Sequence, residues 1–435
     1  MNEVMPDGFK MTELGPLPEN WKVTKLQDYV IKTKQKDMRK ASEKFKYIDV
    51  SGIDRESLRI ISSTIYQGKE APSRARKIVK ENDVIVATVR PTLKRIALIP
   101  KEYDNQVCST AFCVLRGNDG LSNQFIYYAV QRDSFIDELG KIQRGASYPA
   151  VTDSDVKNQK IPHPPLPEQK RIAAVLSTVQ SAREKTGAVV QSTRELKKSM
   201  MKHLFTYGPV PLEEAENVPL KETEIGMVPE GWDVVKLGEV VEFSKKPREV
   251  IIKEQDKLPF ISMDMVSETN QLVKGWEMKQ YSQITSGTFV FKDDVAIAKI
   301  TPCFENGKQA ILSNLPTDIA YMTTEVWAFH PNQDKEITSE HIFSYLRLPG
   351  VRNAIASKME GATGRQRIPK SVISSVQIPL PPLPEQQHIA AVLSSIDDKI
   401  QAEEGKKNAQ NDLFKTLLND LMTAKIRVNG LNIEV

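Results

Sequence analysis

Residues 164–177 read PPLPEQKRIAAVLS, and almost the same stretch, PPLPEQQHIAAVLS, returns at residues 381–394. Twelve of the fourteen positions match, and the mismatch is confined to one central pair of residues. A match of this length within one chain indicates a tandem duplication, which has to be recognised before any single element is assigned. The sequence therefore predicts two copies of one structural unit.

The duplication extends beyond this motif. Residues 10–21, KMTELGPLPENW, correspond to residues 221–232, KETEIGMVPEGW, with seven of twelve positions identical. Between these landmarks the two halves are only loosely related. A repeated frame indicates a common scaffold and a common partner, whereas divergent filling indicates two different targets. Ordinary drift after duplication is the alternative interpretation.

Each half has the pattern of a mixed α and β domain. Short runs rich in Val, Ile, Phe and Thr, such as residues 83–89 and 295–300, predict strands of a twisted sheet. One helical segment follows in each half, at residues 123–139 and 339–359. A cluster of four prolines then ends the domain, because proline cannot donate to a sheet or helix.

Two long helices are predicted after the proline clusters, at about 166–206 and 383–424. Each carries side chains at the alternating three- and four-residue spacing of a coiled-coil seam. With one such helix per half, the simplest partner of each is the other, as an antiparallel pair about 60 Å long. The alternative is two surface helices that pack on their own domains. The predicted interface residues are Ile172, Val175, Val179, Val189, Leu196, Leu393, Ile396, Ile400, Phe414, Leu417 and Leu421.

The predicted fold class is thus α+β, with two homologous α/β domains separated by two long helices that pair as an antiparallel coiled coil, in an internal pseudo-two-fold repeat. The predicted boundaries are residues 1–163 for the first domain, 164–207 for the central helix, 208–225 for a polar linker, 226–380 for the second domain and 381–427 for the C-terminal helix.

Composition restricts the class of protein. The formal net charge is +4, from 60 basic and 56 acidic residues, a weak bias that permits nucleic-acid binding without requiring it. The three cysteines lack metal-site or disulfide spacing, which favours a reducing cytoplasm. No apolar stretch approaches the roughly 18 residues of a membrane span, so no membrane association is expected.

The sequence contains no recognisable catalytic constellation. It lacks a phosphate-binding G-x-x-x-x-G-K-[ST] loop, a methyltransferase N-P-P-[YF] tetrapeptide and the Cys/His spacing of a zinc site. The histidines are scattered and pair with no evident nucleophile. A site assembled from distant acids such as Asp83 or Asp294 stays open as an alternative, although both are interpreted as structural residues at strand starts.

The ordered set of motifs resembles the DNA-specificity subunit of type I restriction–modification enzymes. The resemblance rests on Pro-Glu-x-Trp at residues 18–21 and 229–232, on Pro-Leu-Pro-Glu-Gln followed by an Ile-Ala-x-x-Leu helix opening in both halves, and on a related helix end. It covers nearly the whole chain. It implies two target-recognition domains that each bind half of a split DNA sequence, with the helices as a spacer between them.

The resemblance also implies partners and the division of labour among them. The expected partners are double-stranded DNA, two DNA methyltransferase subunits that dock on the helices, and restriction and translocase subunits. This chain would be a non-catalytic subunit of an adenine-N6 methylating and restricting complex. It would hold no cofactor, and S-adenosylmethionine, ATP and Mg²⁺ would bind the partner subunits.

Candidate DNA contacts are basic, amide, hydroxyl and aromatic side chains near predicted strand ends and glycine loops, because such groups bind phosphates and base edges. Two glycine-containing loops occupy equivalent positions before the proline clusters, which favours Arg144, Arg365, Gln366 and Arg367. A solvated basic face is the alternative for any one cluster. The full set is Arg90, Lys94, Arg144, Ser147, Tyr148, Lys299, Lys308, Arg365, Gln366 and Arg367.

Three hypotheses follow. The first is the specificity subunit described above. The second is a stand-alone sequence-specific DNA-binding or architectural protein, which would bind its site tightly without partners. The third is a hydrolase whose site lies within the variable domains, which would show turnover by the isolated chain.

Overall fold

A computed structural model describes residues 7–332, 334–362 and 364–428. Residues 1–6 of the first predicted domain and Thr363 of the second glycine loop lie outside the described residues. The chain divides into two compact units. Unit 1 takes the residues up to 188 and those from 405 onward, and unit 2 takes residues 189–404. The boundary falls inside both long helices, so each unit contains a segment of each helix.

Unit 1 begins with a hairpin and continues with two larger sheets. Its strands are β1 (Phe9–Thr12), β2 (Gly15–Pro18), β3 (Lys22–Lys25), β4 (Lys44–Ile48), β5 (Thr64–Gln67), β6 (Ala75–Ile78), β7 (Val84–Ala87), β8 (Ile96–Leu98), β9 (Val107–Ser109), β10 (Phe112–Leu115) and β11 (Lys160–His163). Its helices are α1 (Asn123–Ala129), α2 (Asp133–Ile142), α3 (Asp153–Lys157) and the start of α4 (Leu166–Tyr207). The sheet orders are β1-β2, β10-β7-β8, β11-β3 and β5-β4-β9-β6.

Unit 2 repeats this plan. Its strands are β12 (Leu220–Thr223), β13 (Gly226–Pro229), β14 (Asp233–Lys236), β15 (Val241–Phe243), β16 (Lys257–Ile261), β17 (Glu277–Gln280), β18 (Thr288–Phe291), β19 (Val295–Ala298), β20 (Gln309–Ile311), β21 (Ile319–Met322), β22 (Val326–Pro331) and β23 (Gln377–Leu380). Its helices are α5 (Leu237–Val240), α6 (Ser339–Leu346), α7 (Pro349–Ala356), α8 (Lys370–Ser374) and the start of α9 (Leu383–Met422). The sheet orders are β12-β13, β14-β23, β15-β22-β19-β20 and β17-β16-β21-β18.

The central strand of each unit is apolar throughout. All four residues of β7, VIVA, and of β19, VAIA, are buried, because helices cover one side of their sheet and the second sheet covers the other. A continuous apolar run, rather than an alternating one, is typical of a strand buried on both faces. These strands end where the candidate DNA-binding residues begin.

The last strand of each unit leads directly into its long helix. Strand β11 pairs antiparallel with β3, and β23 pairs in the same way with β14. The proline cluster follows, and the helix starts with a proline and a glutamate in its first turn. Both residues suit a helix start, because proline needs no donor there and the carboxylate complements the helix dipole.

The prediction of one continuous helical segment in each half is wrong, because each half has two short helices there. Residues 123–139 form α1 and most of α2, separated by residues 130–132. Residues 339–359 form α6 and α7, and Pro349 begins the second of these. Proline lacks the N–H group that would continue the first helix. Two short helices can follow the curved surface of the sheet more closely than one straight helix.

The segment predicted to be a linker, residues 208–225, carries regular structure. It contains a 3₁₀ helix at Leu212–Asn217 and the strand β12, which pairs with β13. This hairpin corresponds to β1 and β2 at the start of unit 1. The repeat of mixed α and β units is therefore visible from the first hairpin onward.

Candidate nucleic-acid interface

Two loops of unit 1 come together at the end of strand β7. Val89 pairs with Ala150 in an isolated antiparallel bridge, and the backbone N–H of Arg90 donates to the carbonyl of Pro149 at 2.7 Å. The loop after β7 thus lies against the glycine loop at residues 144–150, although more than fifty residues separate them in sequence. Five of the candidate DNA contacts belong to these two loops: Arg90, Lys94, Arg144, Ser147 and Tyr148.

Arg90 and Tyr148 form an exposed pair. The ring of Tyr148 lies 5.0 Å from the guanidinium carbon of Arg90, and the side chain of Arg90 also donates to the carbonyl of Ser147 at 3.2 Å. Tyr148 is 72% exposed, so this is not a core aromatic. A cation held over a ring in this way is attracted by the negative face of the π system.

The other two cations of these loops have carboxylate partners within the unit. Lys94 pairs with Asp133, and Arg144 pairs with Asp155 at 3.1 Å. Asp155 also accepts a hydrogen bond from the backbone N–H of Thr152 at 2.8 Å, which together with the nearby guanidinium lowers the pKa of its carboxyl group. The charge of Asp155 is therefore stable at neutral pH, and Arg144 is held in place.

Unit 2 repeats the contact between two loops. Ile300, after strand β19, bridges to Arg367, and the N–H of Thr301 donates to the carbonyl of Gln366 at 3.0 Å. The guanidinium of Arg367 binds both carboxylate oxygens of Glu325, at 2.9 and 2.7 Å. This side-chain hydrogen bonding lowers the pKa of Glu325. Residues 360–362 and 364–367 thus occupy the place that residues 144–150 take in unit 1.

The remaining candidates in unit 2 differ in how freely their side chains could contact DNA. The ammonium of Lys299 lies 4.6 Å from the centre of the Trp327 ring, and partial burial lowers its pKa. Lys308 donates to the carbonyl of Met263 at 2.7 Å. Arg365 is exposed, and Gln366 is half-buried. The structure therefore assigns several of the candidate cations a partner within their own unit, which the sequence did not reveal.

The residues predicted for the helix interface fall into buried, half-buried and exposed groups. Buried are Ile172, Leu393, Ile400, Phe414 and Leu421. Val175, Val179, Ile396 and Leu417 are half-buried. Val189 and Leu196, by contrast, are 40% and 53% exposed. Part of the predicted seam is thus covered within the chain, and part of it faces outward.

The repeated motif fastens each long helix to its own unit. The indole N–H of Trp21 donates to Glu168 at 2.9 Å, and that of Trp232 donates to Glu385 at 2.8 Å. These bonds join the first repeated motif of each half, Pro-Glu-x-Trp, to the second, Pro-Leu-Pro-Glu-Gln. Glu168 also accepts from Arg427 at 2.9 Å. The occurrence of the Trp and the Glu in both copies was the signal that could have identified the bond.

The glutamine of the motif makes a second repeated connection. Gln169 accepts from the N–H of Ser122 and donates to the carbonyls of Gly120 and Pro164. Gln386 makes the equivalent set, accepting from Thr338 and donating to Glu336 and Pro381. Both side chains are fully buried. Their hydrogen bonds satisfy the N-terminal ends of α1 and α6, which explains why the motif requires an amide at this position.

The acids considered for a hydrolase are buried and structural. Asp83 is bound by both Nε and an η nitrogen of Arg116 at 2.6 Å. Asp294 accepts from Ser244 at 2.6 Å and lies 3.2 Å from His330. Among residues 7–332, 334–362 and 364–428, no group of His, Cys, Asp and Glu is arranged to hold a metal ion. Within the same residues, no helix is long and apolar enough to cross a membrane.

Comparison with known proteins agrees with the resemblance seen in the motifs. The family model of the type I restriction modification DNA specificity domain matches residues 18–188 and 229–410. The type I restriction enzyme MjaVIII specificity subunit of Methanocaldococcus jannaschii is 28% identical, over 98% of this chain and 97% of that protein. The putative MjaX specificity subunit of the same organism is 26% identical, over 97% of each chain.

A solved structure is similar over the same extent. It was determined to explain complex assembly and conformational transition of the type I R-M system, and it superposes with a TM-score of 0.56 at 27% identity, over 94% of this chain and 99% of that chain. Both repeats are matched by the family model, and the relatives span the whole chain. The chain therefore belongs to the DNA specificity subunits of type I restriction–modification systems, which recognise DNA and are not themselves catalytic.

Proposed function

We propose that each unit binds one half of a bipartite double-stranded DNA site, and that the two long helices set the spacing and dock two methyltransferase subunits. The observation that carries this proposal is the repeat itself. The same pair of loops recurs at the end of β7 and of β19, but the side chains that the loops present are different. Equivalent positions with different chemistry suit two half-sites of different sequence.

We further propose that the helices pair as an antiparallel coiled coil. In unit 2, Arg194 and Lys197 of α4 form ion pairs with Glu404 and Asp397 of α9, so the residue numbers run in opposite directions. In unit 1, the guanidinium of Arg183 lies 5.0 Å from the Phe414 ring centre. Contacts of this kind at the e and g positions fix partner choice and orientation in coiled coils.

The docking proposal is supported by surface that the chain leaves uncovered. Val189 and Leu196 are exposed on α4, and unit 2 contains an open cavity of about 1090 Å³ lined by Phe205, Met227 and Val351, among others. Exposed apolar side chains beside an open cavity are typical of interaction sites. The similar chain whose structure was solved in a study of type I R-M complex assembly supports a partner within such a complex.

The remaining assignments are proposals on the same basis. Restriction and translocase subunits complete the assembly, and S-adenosylmethionine, ATP and Mg²⁺ bind the partner subunits. The complex works in the cytoplasm. The domain boundaries at 163, 207, 380 and 427 are retained as functional divisions for deletion experiments, whereas the predicted boundary at 225 falls inside the β12–β13 hairpin and is not used.

The test is a methylation map of the host genome, obtained by single-molecule sequencing with and without the gene. We expect the loss of one split motif that carries modified adenines in both halves. Exchanging residues 143–150 for the loop of another specificity subunit should change one half of the motif and leave the other half intact. An unchanged map in the deletion strain, although the complete complex is expressed in the parent, would contradict the proposal.

A further inference from the structure

The backbone of Arg90 is held in an uncommon conformation. Its φ of 48° and ψ of 58° lie in the left-handed region, and Lys94, four residues later, has a φ of 51°. Residues other than glycine, asparagine and aspartate rarely adopt this backbone conformation, because the Cβ atom approaches the following carbonyl. Such residues persist where the surrounding structure fixes them, and they cluster at functional sites.

The surrounding contacts fix Arg90 from two sides. Its N–H donates to Pro149 at 2.7 Å, and Pro91 starts the 3₁₀ turn that follows. Its guanidinium rests on the Tyr148 ring and donates to the carbonyl of Ser147. The conformation therefore directs one planar cation outward from the junction of the two loops.

Arg90 also differs from its neighbours in charge balance. Lys94 and Arg144 each form an ion pair with an aspartate of unit 1. Within residues 7–332, 334–362 and 364–428, Arg90 forms no ion pair with a carboxylate. A guanidinium has five N–H donors. The carbonyl of Ser147 engages one nitrogen of this group, and the exposed remainder can meet two acceptors at once.

We propose that Arg90 recognises a guanine in the half-site bound by unit 1, with Tyr148 as its positioning residue; this inference rests on the proposed function. Guanine presents O6 and N7 as two adjacent acceptors in the major groove, and a planar guanidinium donates to both. A phosphate can also be bound by the point charge of a mobile lysine, whereas the two adjacent acceptors of one base call for a planar guanidinium held in a fixed orientation. The position equivalent to Arg90 in unit 2 is Thr301, so this contact belongs to one half-site only.

The test uses the full-length chain in complex with its methyltransferase partners. The substrates are duplexes in which each base pair of the recognised site is varied in turn, and the adenine methylation rate is measured. Arg90→Lys keeps the charge but removes the planar fork. We expect the discrimination at one G·C pair of one half-site to fall by about 10-fold or more. Discrimination at every position of the other half-site should remain unchanged.

Tyr148 provides a second, independent variant, because its side chain is exposed and its loss leaves no core cavity. Tyr148→Ala should weaken discrimination at the same G·C pair, and Tyr148→Phe, which retains the ring, should restore it. Arg59→Lys is the matched control, because Arg59 is an exposed guanidinium of unit 1 that pairs with Glu184 at 2.6 Å. This control should keep the specificity of the unmodified protein.

Two results would overturn the inference. One is a uniform decrease of methylation on all duplexes, which would identify Arg90 as a phosphate contact. The other is unchanged discrimination in both Arg90→Lys and Tyr148→Ala. Failure of the proposed function would look different, because the unmodified complex would then methylate no split site at all.

Discussion

The two units place a buried aspartate at the same point and give it different partners. Asp83 and Asp294 each precede the central strand, and each accepts a hydrogen bond from the backbone N–H three residues earlier, at 2.8 Å. In unit 1 the partner is the permanent cation Arg116. In unit 2 the partners are Ser244 and the titratable His330. The shared bond shapes the turn before the strand, whereas the charge partner has been free to change.

The contacts that attach the long helices to the two units, by contrast, have not changed. The Trp–Glu bond and the hydrogen bonds of the buried glutamine are the same in both units, down to the backbone groups that they satisfy. Duplication has therefore preserved the contacts that orient a helix on its domain. The side chains of the solvent-facing loops after β7 and β19, by contrast, differ between the units, as do the partners of Asp83 and Asp294.

The largest effect is expected from removing the permanent pair. Asp83→Ala leaves Arg116 without its carboxylate next to the apolar core and removes the acceptor for the N–H of Lys80. Breaking a buried ion pair in this way typically costs about 3–5 kcal/mol. The opening free energy of unit 1, measured by amide hydrogen exchange with mass spectrometry on the full chain, should fall by about that amount.

Asp294→Ala is the matched control. His330 can lose its proton when its partner is removed, so no buried charge is left behind. The cost to unit 2 should therefore be smaller than the cost of Asp83→Ala to unit 1. Equal losses in the two units would show that the identity of the partner has no energetic consequence.

The second prediction concerns the contacts that the units share. Gln169→Ala and Gln386→Ala each remove the hydrogen bonds to one N–H and two carbonyls, of which, among the described residues, only the carbonyl of Gly120 keeps another contact, to His163 at 3.0 Å. The cost is about 1–3 kcal/mol for each group that is left unsatisfied and that water cannot reach. We expect losses of about 2–4 kcal/mol that agree between the two units. The same hydrogen-exchange measurement reports both. A difference as large as the effect itself would mean that the two fastenings are not equivalent.

The long helices were predictable because their signal is local and periodic. The predicted spans of 166–206 and 383–424 compare with Leu166–Tyr207 and Leu383–Met422 in the structure. Proline and glutamate mark both starts in the sequence itself. The break between α6 and α7 was missed because its marker, Pro349, stands inside a segment whose apolar pattern continues on both sides.

The partners of the candidate DNA contacts were not predictable in this way. Arg144 and Arg367 belong to equivalent loops at different positions, and their carboxylates, Asp155 and Glu325, lie 11 and 42 residues away. Only the tertiary fold decides which acid approaches which cation. For the same reason the sequence identified Arg90 and Tyr148 separately, while their contact required the bridge between Val89 and Ala150.

The third prediction uses pH to separate the two buried aspartates. The hydrogen bond to Asp294 raises the pKa of His330, and Glu242 at 3.9 Å adds to this. Because the folded-state pKa lies above the unfolded value of about 6.5, the stabilisation is fully present below that pH and is lost as pH rises through the folded pKa. The opening free energy of unit 2 should therefore fall by less than about 1 kcal/mol, which is the range expected for a partly exposed ion pair. The opening free energy of unit 1 should not change over the same pH range.

This loss should appear in hydrogen exchange as the pH is raised above about 6.5, after correction for the intrinsic exchange rate. The other perturbed histidine of unit 2 does not interfere, because burial lowers the pKa of His341 to about 4, and it stays neutral throughout this window. His330→Gln should remove the difference between the units. A difference that persists in this variant would assign the pH dependence to another group.

The smallest effect on stability is expected where the helix α4 is uncovered. Leu196→Ala should change the opening free energy of unit 2 by no more than about 0.5 kcal/mol, because its side chain is exposed. Ile172→Ala, at the buried end of the same helix, should cost unit 1 about 2–5 kcal/mol.

If a methyltransferase subunit covers Leu196, that subunit should bind the Leu196→Ala variant more weakly than the unmodified chain, although the variant itself stays stable. Titration calorimetry measures this difference in affinity. Unchanged binding by Leu196→Ala and by Val189→Ala would place the docking surface on another part of the chain, and would leave these two side chains as ordinary exposed residues.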